Sequence, residues 1–275
     1  MRRSTLTRMI VALIILLLPL LLAAVLPGHG LLSQLEARNL APSWSHWFGT
    51  DWLGRDMFTR TMNGLALSIG VGMSAALASS LIAAFLGLMA ATLGKTADRI
   101  ITWLIDCFLS IPHLVLLLLI AFAMGGGLKG VIVAVALTHW PSLARLMRAE
   151  ILALKSSEYV LISKQLGKTP WWIATRHMLP HLLPQFIVGS LLMFPHAILH
   201  EAAITFLGMG LSPHQPAIGI ILSESMKYIS AGMWWLALFP GFCLFLVVRA
   251  FDMLARSMYR FIDPARALLE KGGGH

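Results

Sequence analysis

The chain has 275 residues, of which 58% are hydrophobic and only 12% charged. Soluble domains carry roughly 25% charged residues, so this chain lacks the means to present a water-facing surface and is expected to be an integral membrane protein. Its formal net charge of +9 does not signal nucleic acid, because the basic residues fall between apolar runs and form no basic face.

Six apolar stretches are long enough to span a bilayer, at 9–26, 65–93, 100–123, 128–149, 185–207 and 233–253. A span needs about 20 apolar residues, and in lipid only a helix satisfies its own backbone groups within one segment. The expected fold is an all-α polytopic membrane protein. The first stretch has the basic head of a cleavable leader in Arg2, Arg3 and Arg8, and small residues at Ala23 and Ala24. Its apolar run from Ile10 to Leu26 exceeds a leader's core, so an uncleaved first helix is expected.

The second stretch is rich in small residues, Gly70, Gly72, Ala75, Ala76, Ala83, Ala84 and Gly87, which suit close helix packing in lipid. Placing the N-terminus inside gives the inner segments three times as many Lys and Arg as the outer ones, which hold Arg38, Arg55, Arg60, Lys129 and Lys227. Both termini are therefore expected inside. Residues 27–64 and 208–232 then lie outside, the first with Phe48-Gly49-Thr50-Asp51-Trp52-Leu53-Gly54-Arg55-Asp56 and the second with Pro213, Pro216 and Gly219. Cys107 and Cys243 lie in apolar runs and read as packing residues.

The inner segment 150–184 is too polar to span, yet it carries Tyr159, Ile162, Leu166 and Ile173 at roughly helical spacing. Gly167 supplies the left-handed residue that ends a helix, and Pro170 suits the first turn of the next. Pro180 and Pro184 are expected to interrupt the start of the fifth span. A helix–Gly–helix element at the membrane face results. It either lies on headgroups, anchored by Trp171 and Trp172, or docks into a cleft of an inner-side partner.

Two near-motifs are rejected. Gly94-Lys95-Thr96 and Gly167-Lys168-Thr169 lack the earlier Gly of a phosphate loop, having Met89 and Ile162 there. His200-Glu201-Ala202-Ala203-Ile204 lacks the second His of a zinc protease. No catalytic residue is expected, and no cofactor bound by this chain. Ionisable groups inside apolar spans usually face a cavity or a partner, which marks Asp106, His113, His139, His196, His200 and Glu201. The alternatives are an interhelical hydrogen bond or Arg partner for Asp106, and satisfied interior imidazoles for His113 and His196. Imidazole suits nickel and similar borderline metals, so His200 and His139 are candidate metal contacts.

The inner segment resembles the cytoplasmic loop of ABC importer permeases, whose pattern is Glu-Ala-Ala, three residues, Gly, nine residues, then Ile-x-Leu-Pro. Gly167 and Leu179-Pro180 match; Leu161-Ile162-Ser163 replaces Glu-Ala-Ala and His177 replaces the Ile. The outer motif, Ile111-Pro112, Trp140-Pro141, Glu158-Tyr159-Val160, Glu201-Ala202-Ala203 and Phe206-Leu207-Gly208-x-Gly210 resemble the dipeptide/oligopeptide/nickel branch in its second-subunit form, from about residue 46 to Pro264.

The resemblance implies one permease subunit of an ATP-driven importer in a bacterial cytoplasmic (inner) membrane. Residues 1–64 would supply the first helix and outer segment, 65–264 the permease core and 265–275 a flexible inner tail. Glu158, Tyr159, Leu166, Gly167, Pro170, Trp172, Leu179 and Pro180 would form the ATPase coupling loop, with Gly49, Thr50, Asp51, Gly54, Arg55 and Asp56 as the outer motif. Partners would be a homologous second permease, two ATPases holding ATP and Mg, an extracytoplasmic solute-binding protein and membrane lipid. His before Trp140, and Leu199-His200, resemble the nickel-transporting members, so the expected cargo is nickel or a metal chelate; di- or oligopeptides are the alternative. A stand-alone ion-coupled transporter using Asp106 and Glu201 is a further class, which inverted repeats would favour; none is visible.

Overall fold

The structure is a computed structural model that describes residues 2–26, 28–212 and 215–262. Its helices are α1 (Arg2–Val25), α2 (Met57–Thr92), α3 (Lys95–Ser110), α4 (His113–Ala123), α5 (Gly127–Lys155), α6 (Glu158–Gln165), α7 (Pro170–Ile173), α8 (Leu179–Phe206), α9 (Ile218–Ile229) and α10 (Trp235–Ile262). Among the described residues the one sheet-like pairing is an isolated bridge between Thr50 and Asp56. Five helices are long and apolar enough to cross a membrane, and α3 with α4 makes a sixth if the pair counts as one span. The expected tail 265–275 lies outside the described residues.

Three expectations need correction. The third stretch is not one straight helix, because α3 and α4 meet at a bend of 98°. Pro112 has no N–H to donate and its ring disfavours helical backbone at the preceding residue. Ile111 is accordingly extended, at φ −85° and ψ 137°.

The fifth span begins far earlier than residue 185. From Pro170 to Phe206 the helix is continuous, with a π-helical turn at Ala174–Met178 where Leu179 N–H reaches back to the Ala174 carbonyl. Pro180 and Pro184 do not interrupt it. The wider turn takes up the misfit that a proline imposes on the turn before it.

Segment 208–232 also holds helix α9, Ile218–Ile229, which takes up about half of it. In addition, α2 starts at Met57 rather than 65, so its first turns lie within the segment 27–64.

In lipid the helices gain little from burying apolar surface against one another, so close van der Waals packing of small residues does the holding. The central helix α2 packs its Ala75, Ala76, Ala83 and Gly87 face on α5 and α8. On the opposite flank Ala12 and Leu16 of α1 pack with Leu244, Val247 and Phe251 of α10. Two arginines of α5 fix α3: Arg145 donates to Asp106 at 2.6 Å, and Arg148 donates through Nη2 to Asp98 at 2.7 Å. Cys107 and Cys243 are free.

α2 and α8 approach closely at Gly72, where a Cβ would lie 2.5 Å from Ile198 Cγ1 and 3.1 Å from the α8 backbone. Gly72→Ala should lower thermal stability by about 1–3 kcal/mol, the usual range for overpacking. Gly70→Ala, where a Cβ meets open space, should not. Thermal unfolding of the two purified variants checks this; equal midpoints would refute the contact.

Candidate functional site

Three polar constellations stand apart from the apolar packing. The first is the helix–Gly–helix element. Helix α6 ends in an overlapping turn, with Gly167 N–H donating to the Lys164 carbonyl at 3.0 Å and Lys168 N–H to the Ser163 carbonyl at 3.1 Å. Gly167 sits at φ +73°, the left-handed conformation that closes a helix this way. Thr169 then caps α7, its Oγ1 accepting from Trp172 N–H at 3.2 Å, and Pro170 takes the first helical position.

Val160 and Ile173 are the buried apolar side chains of the two halves. The outward face is apolar and uncovered: Leu166 is 71% exposed and Trp171 78%, with Tyr159, Ile162 and Leu179 also exposed. Glu158 is exposed in the first turn of α6, where a negative charge suits the helix dipole. Beside the element lies a cavity of about 720 Å³, lined by Leu88, Val160, Trp171, Ile173, Met178 and Leu182 among others.

Two departures from the family pattern turn out to be partners. Ser163 and His177, which replace Ala and Ile, pair at 3.2 Å between Oγ and Nε2. The His177 ring also sits against Tyr159 and Trp172, at centroid distances of 5.5 and 5.2 Å. In the sequence the two are separate substitutions, fourteen positions apart. Their spacing across the Gly167 turn was the available signal, but only the folded turn brings them together.

The second constellation lies within the bundle. His113 opens α4 directly after the Pro112 break, His139 lies on α5 and His200 on α8. Their ring centroids are 4.6 Å apart for His113–His139, 4.6 Å for His113–His200 and 5.0 Å for His139–His200. One nitrogen from each lies within 4.8 Å of the others. With a rise of about 1.5 Å per residue, His139 lies about 18 Å from Gly127, His113 about 15 Å from Ala123 and His200 about 9 Å from Phe206. Each therefore stands more than one helical turn from that helix end. His139 Nδ1 is 3.0 Å from the Val135 carbonyl; a carbonyl only accepts, so Nδ1 carries the proton and Nε2 keeps its lone pair.

The other marked groups stand differently. His196, one turn before His200, is exposed and outside the trio. Glu201 is also outside the trio: it is fully buried, and Thr205 donates to its Oε1 at 3.0 Å. Asp106 is exposed and paired with Arg145, the interhelical arginine that was one of its two expected settings.

The third constellation is the outer motif, which folds inward on itself. Asp51 accepts from the backbone of Leu53 and Arg55 (2.9 Å each), from Arg55 Nε at 2.7 Å and from Arg60 Nη1 at 2.6 Å. Arg60 Nη2 reaches Glu224 on α9 at 2.9 Å. Asp56 caps α2, accepting from Thr59 N–H and Oγ1 at 2.8 Å each. Thr50 Oγ1 accepts from Leu40 N–H at 2.8 Å, and Gly49 and Gly54 make the turns. The motif clamps the outer segment to α2 and α9. Arg60 and Glu224 were not marked from the sequence, because neither lies within the motif.

Residues 83–267 match the family described as binding-protein-dependent transport system inner membrane component. A dipeptide transport system permease protein of Bacillus subtilis (strain 168) is 37% identical over 240 residues, covering 87% of this chain and 75% of that protein. Another, from Alkalihalophilus pseudofirmus, is 36% identical over 227 residues, covering 82% and 74%. The inward-facing MetNI methionine ABC transporter contains a chain of similar fold, with TM-score 0.56 and 20% identity over 74% of this chain and 97% of that one.

Proposed function

We propose, for a chain that belongs to the family of binding-protein-dependent transport system inner membrane components, that its cargo is a peptide or a peptide-like molecule. The protein is an ABC importer permease subunit and a multi-pass inner-membrane protein. The names of its relatives support the peptide reading over free nickel as sole cargo.

In this reading two such subunits enclose the path, and an extracytoplasmic binding protein delivers the cargo to the face bearing 28–56 and α9. Two ATPases hold ATP and Mg, and both termini of this chain lie on their side of the membrane. The observation that carries the coupling role is the uncovered apolar face of Tyr159, Ile162, Leu166 and Trp171, mounted on a rigid, capped turn. An exposed apolar patch next to a membrane-spanning bundle fits a protein cleft better than water. Because α7 runs without a break into α8, force on the turn passes directly into a helix bearing His196 and His200. ATP shifts the balance between inward- and outward-open forms only if it binds one of them better.

A cysteine at Leu166→Cys should cross-link to an ATPase subunit in the assembled importer, with yield changing when ATP is bound. Peptide uptake in liposomes should require ATP and those subunits. Gradient-driven uptake by this chain alone, or labelling of position 166 only from the outside, would overturn the reading.

A further inference from the structure

We infer that His113, His139 and His200 form a three-imidazole transit site for a borderline divalent transition metal, which enters either as the free ion or held by the peptide-like cargo. The inference rests on the importer reading and narrows its cargo.

Four observations carry it. Three helices from distant parts of the chain deliver their imidazoles to one point, with a donor nitrogen from each within 4.8 Å of the others. Metal–imidazole bonds of about 2.0–2.1 Å in tetrahedral geometry need nitrogens about 3.3 Å apart, a closure within reach of modest ring rotation. His139 is held by the Val135 carbonyl with its Nε2 lone pair free, the arrangement that orients a metal-ligating imidazole. His113 Nε2 is buried with no hydrogen-bond partner among the described residues; leaving such an atom unsatisfied is unfavourable, and a bound metal would remove that cost. Finally, His196 stands on the same face of α8 as His200, one turn away and exposed. An exposed polar residue on a spanning helix faces a cavity or a partner rather than lipid.

The donor set limits the ligand. Neutral imidazoles without a carboxylate favour nickel, copper or zinc over magnesium or calcium. Glu201, the nearest acid in sequence, is not among the clustered ligand atoms and accepts from Thr205 instead. Three protein ligands leave a coordination position open, unlike a closed structural site. A chelator's carboxylate or amine can occupy that position, and the site can hand the metal on. A site on a transport path must bind well enough to admit its cargo and weakly enough to release it.

The test uses the chain assembled with its partner subunits in lipid nanodiscs, without an oligohistidine tag. NiCl₂, and separately Ni²⁺ with two equivalents of L-histidine, are titrated by equilibrium dialysis, and the bound metal is examined by X-ray absorption. Imidazole-ligated nickel is expected, with affinity falling at least tenfold in His139→Gln and in His200→Gln but not in His181→Gln. Saturation by NiCl₂ identifies the free ion as ligand; saturation only with histidine present identifies the chelate. Should the variants fail to fold, nickel should still protect His113, His139 and His200 of the native chain from diethyl pyrocarbonate. Absence of imidazole-bound nickel, unchanged affinity in both variants, or no protection would overturn the site. ATP-driven peptide uptake by a complex that binds no nickel would remove this inference and leave the importer reading intact. Absence of any ATP-driven uptake would remove the importer reading instead.

Discussion

Gly167→Val should reduce ATP-driven uptake at least tenfold while leaving the importer assembled in the membrane. At φ +73° a left-handed backbone costs an ordinary L-residue roughly 1–2 kcal/mol, and a β-branched residue is an outlier there. A Cβ at this position would meet nothing within 4 Å, so the substitution acts through the backbone and not through a clash. The strain would open the turn that orients Leu166 and Trp171, and the ATPase would lose its grip on α8. Gly167→Asn, which tolerates the left-handed region, should keep most of the uptake. Transport and ATPase rates measured together check this. Full coupling in the Val variant would show that the turn does not transmit force.

Asp51→Ala should be the most destabilising single change in the outer segment, by about 3–5 kcal/mol, the range for breaking a buried ion pair. The Asp51 and Arg60 side chains are 5% and 3% exposed. Without the carboxylate, Arg60 keeps only Glu224, and two backbone N–H groups at Leu53 and Arg55 lose their acceptor. The clamp joining the outer segment, α2 and α9 should loosen. Thermal unfolding, with limited proteolysis of residues 28–56, measures the loss. Arg60→Met added to Asp51→Ala should recover part of the stability by removing the stranded charge. A double variant no more stable than the single one would argue against the pair.

The setting of His113 was not legible in the sequence for a specific reason. Its surroundings depend on the 98° bend at Ile111-Pro112, and Pro112 announced an interruption without giving its angle. The same limit explains α8. Two prolines predicted a break, yet the chain stays helical through both, with a π-helical turn just before Pro180. Proline states which backbone bond is missing, whereas neighbouring helices decide whether the chain breaks, kinks or widens.

Local chemistry needs few neighbours, and such features were legible from the residues alone. Apolar run length placed the spans, because lipid requires a helix of fixed reach. Small residues marked the packing face of α2. The spacing of Gly167, Pro170 and Leu179-Pro180 marked the turn, since capping acts over a few residues. The tertiary structure alone decided the long-range pairings: Arg60 with Glu224, Ser163 with His177, and the meeting of His113, His139 and His200. Each joins groups whose proximity depends on how whole helices cross, and crossing is set by the sum of many small van der Waals contacts that no short motif records.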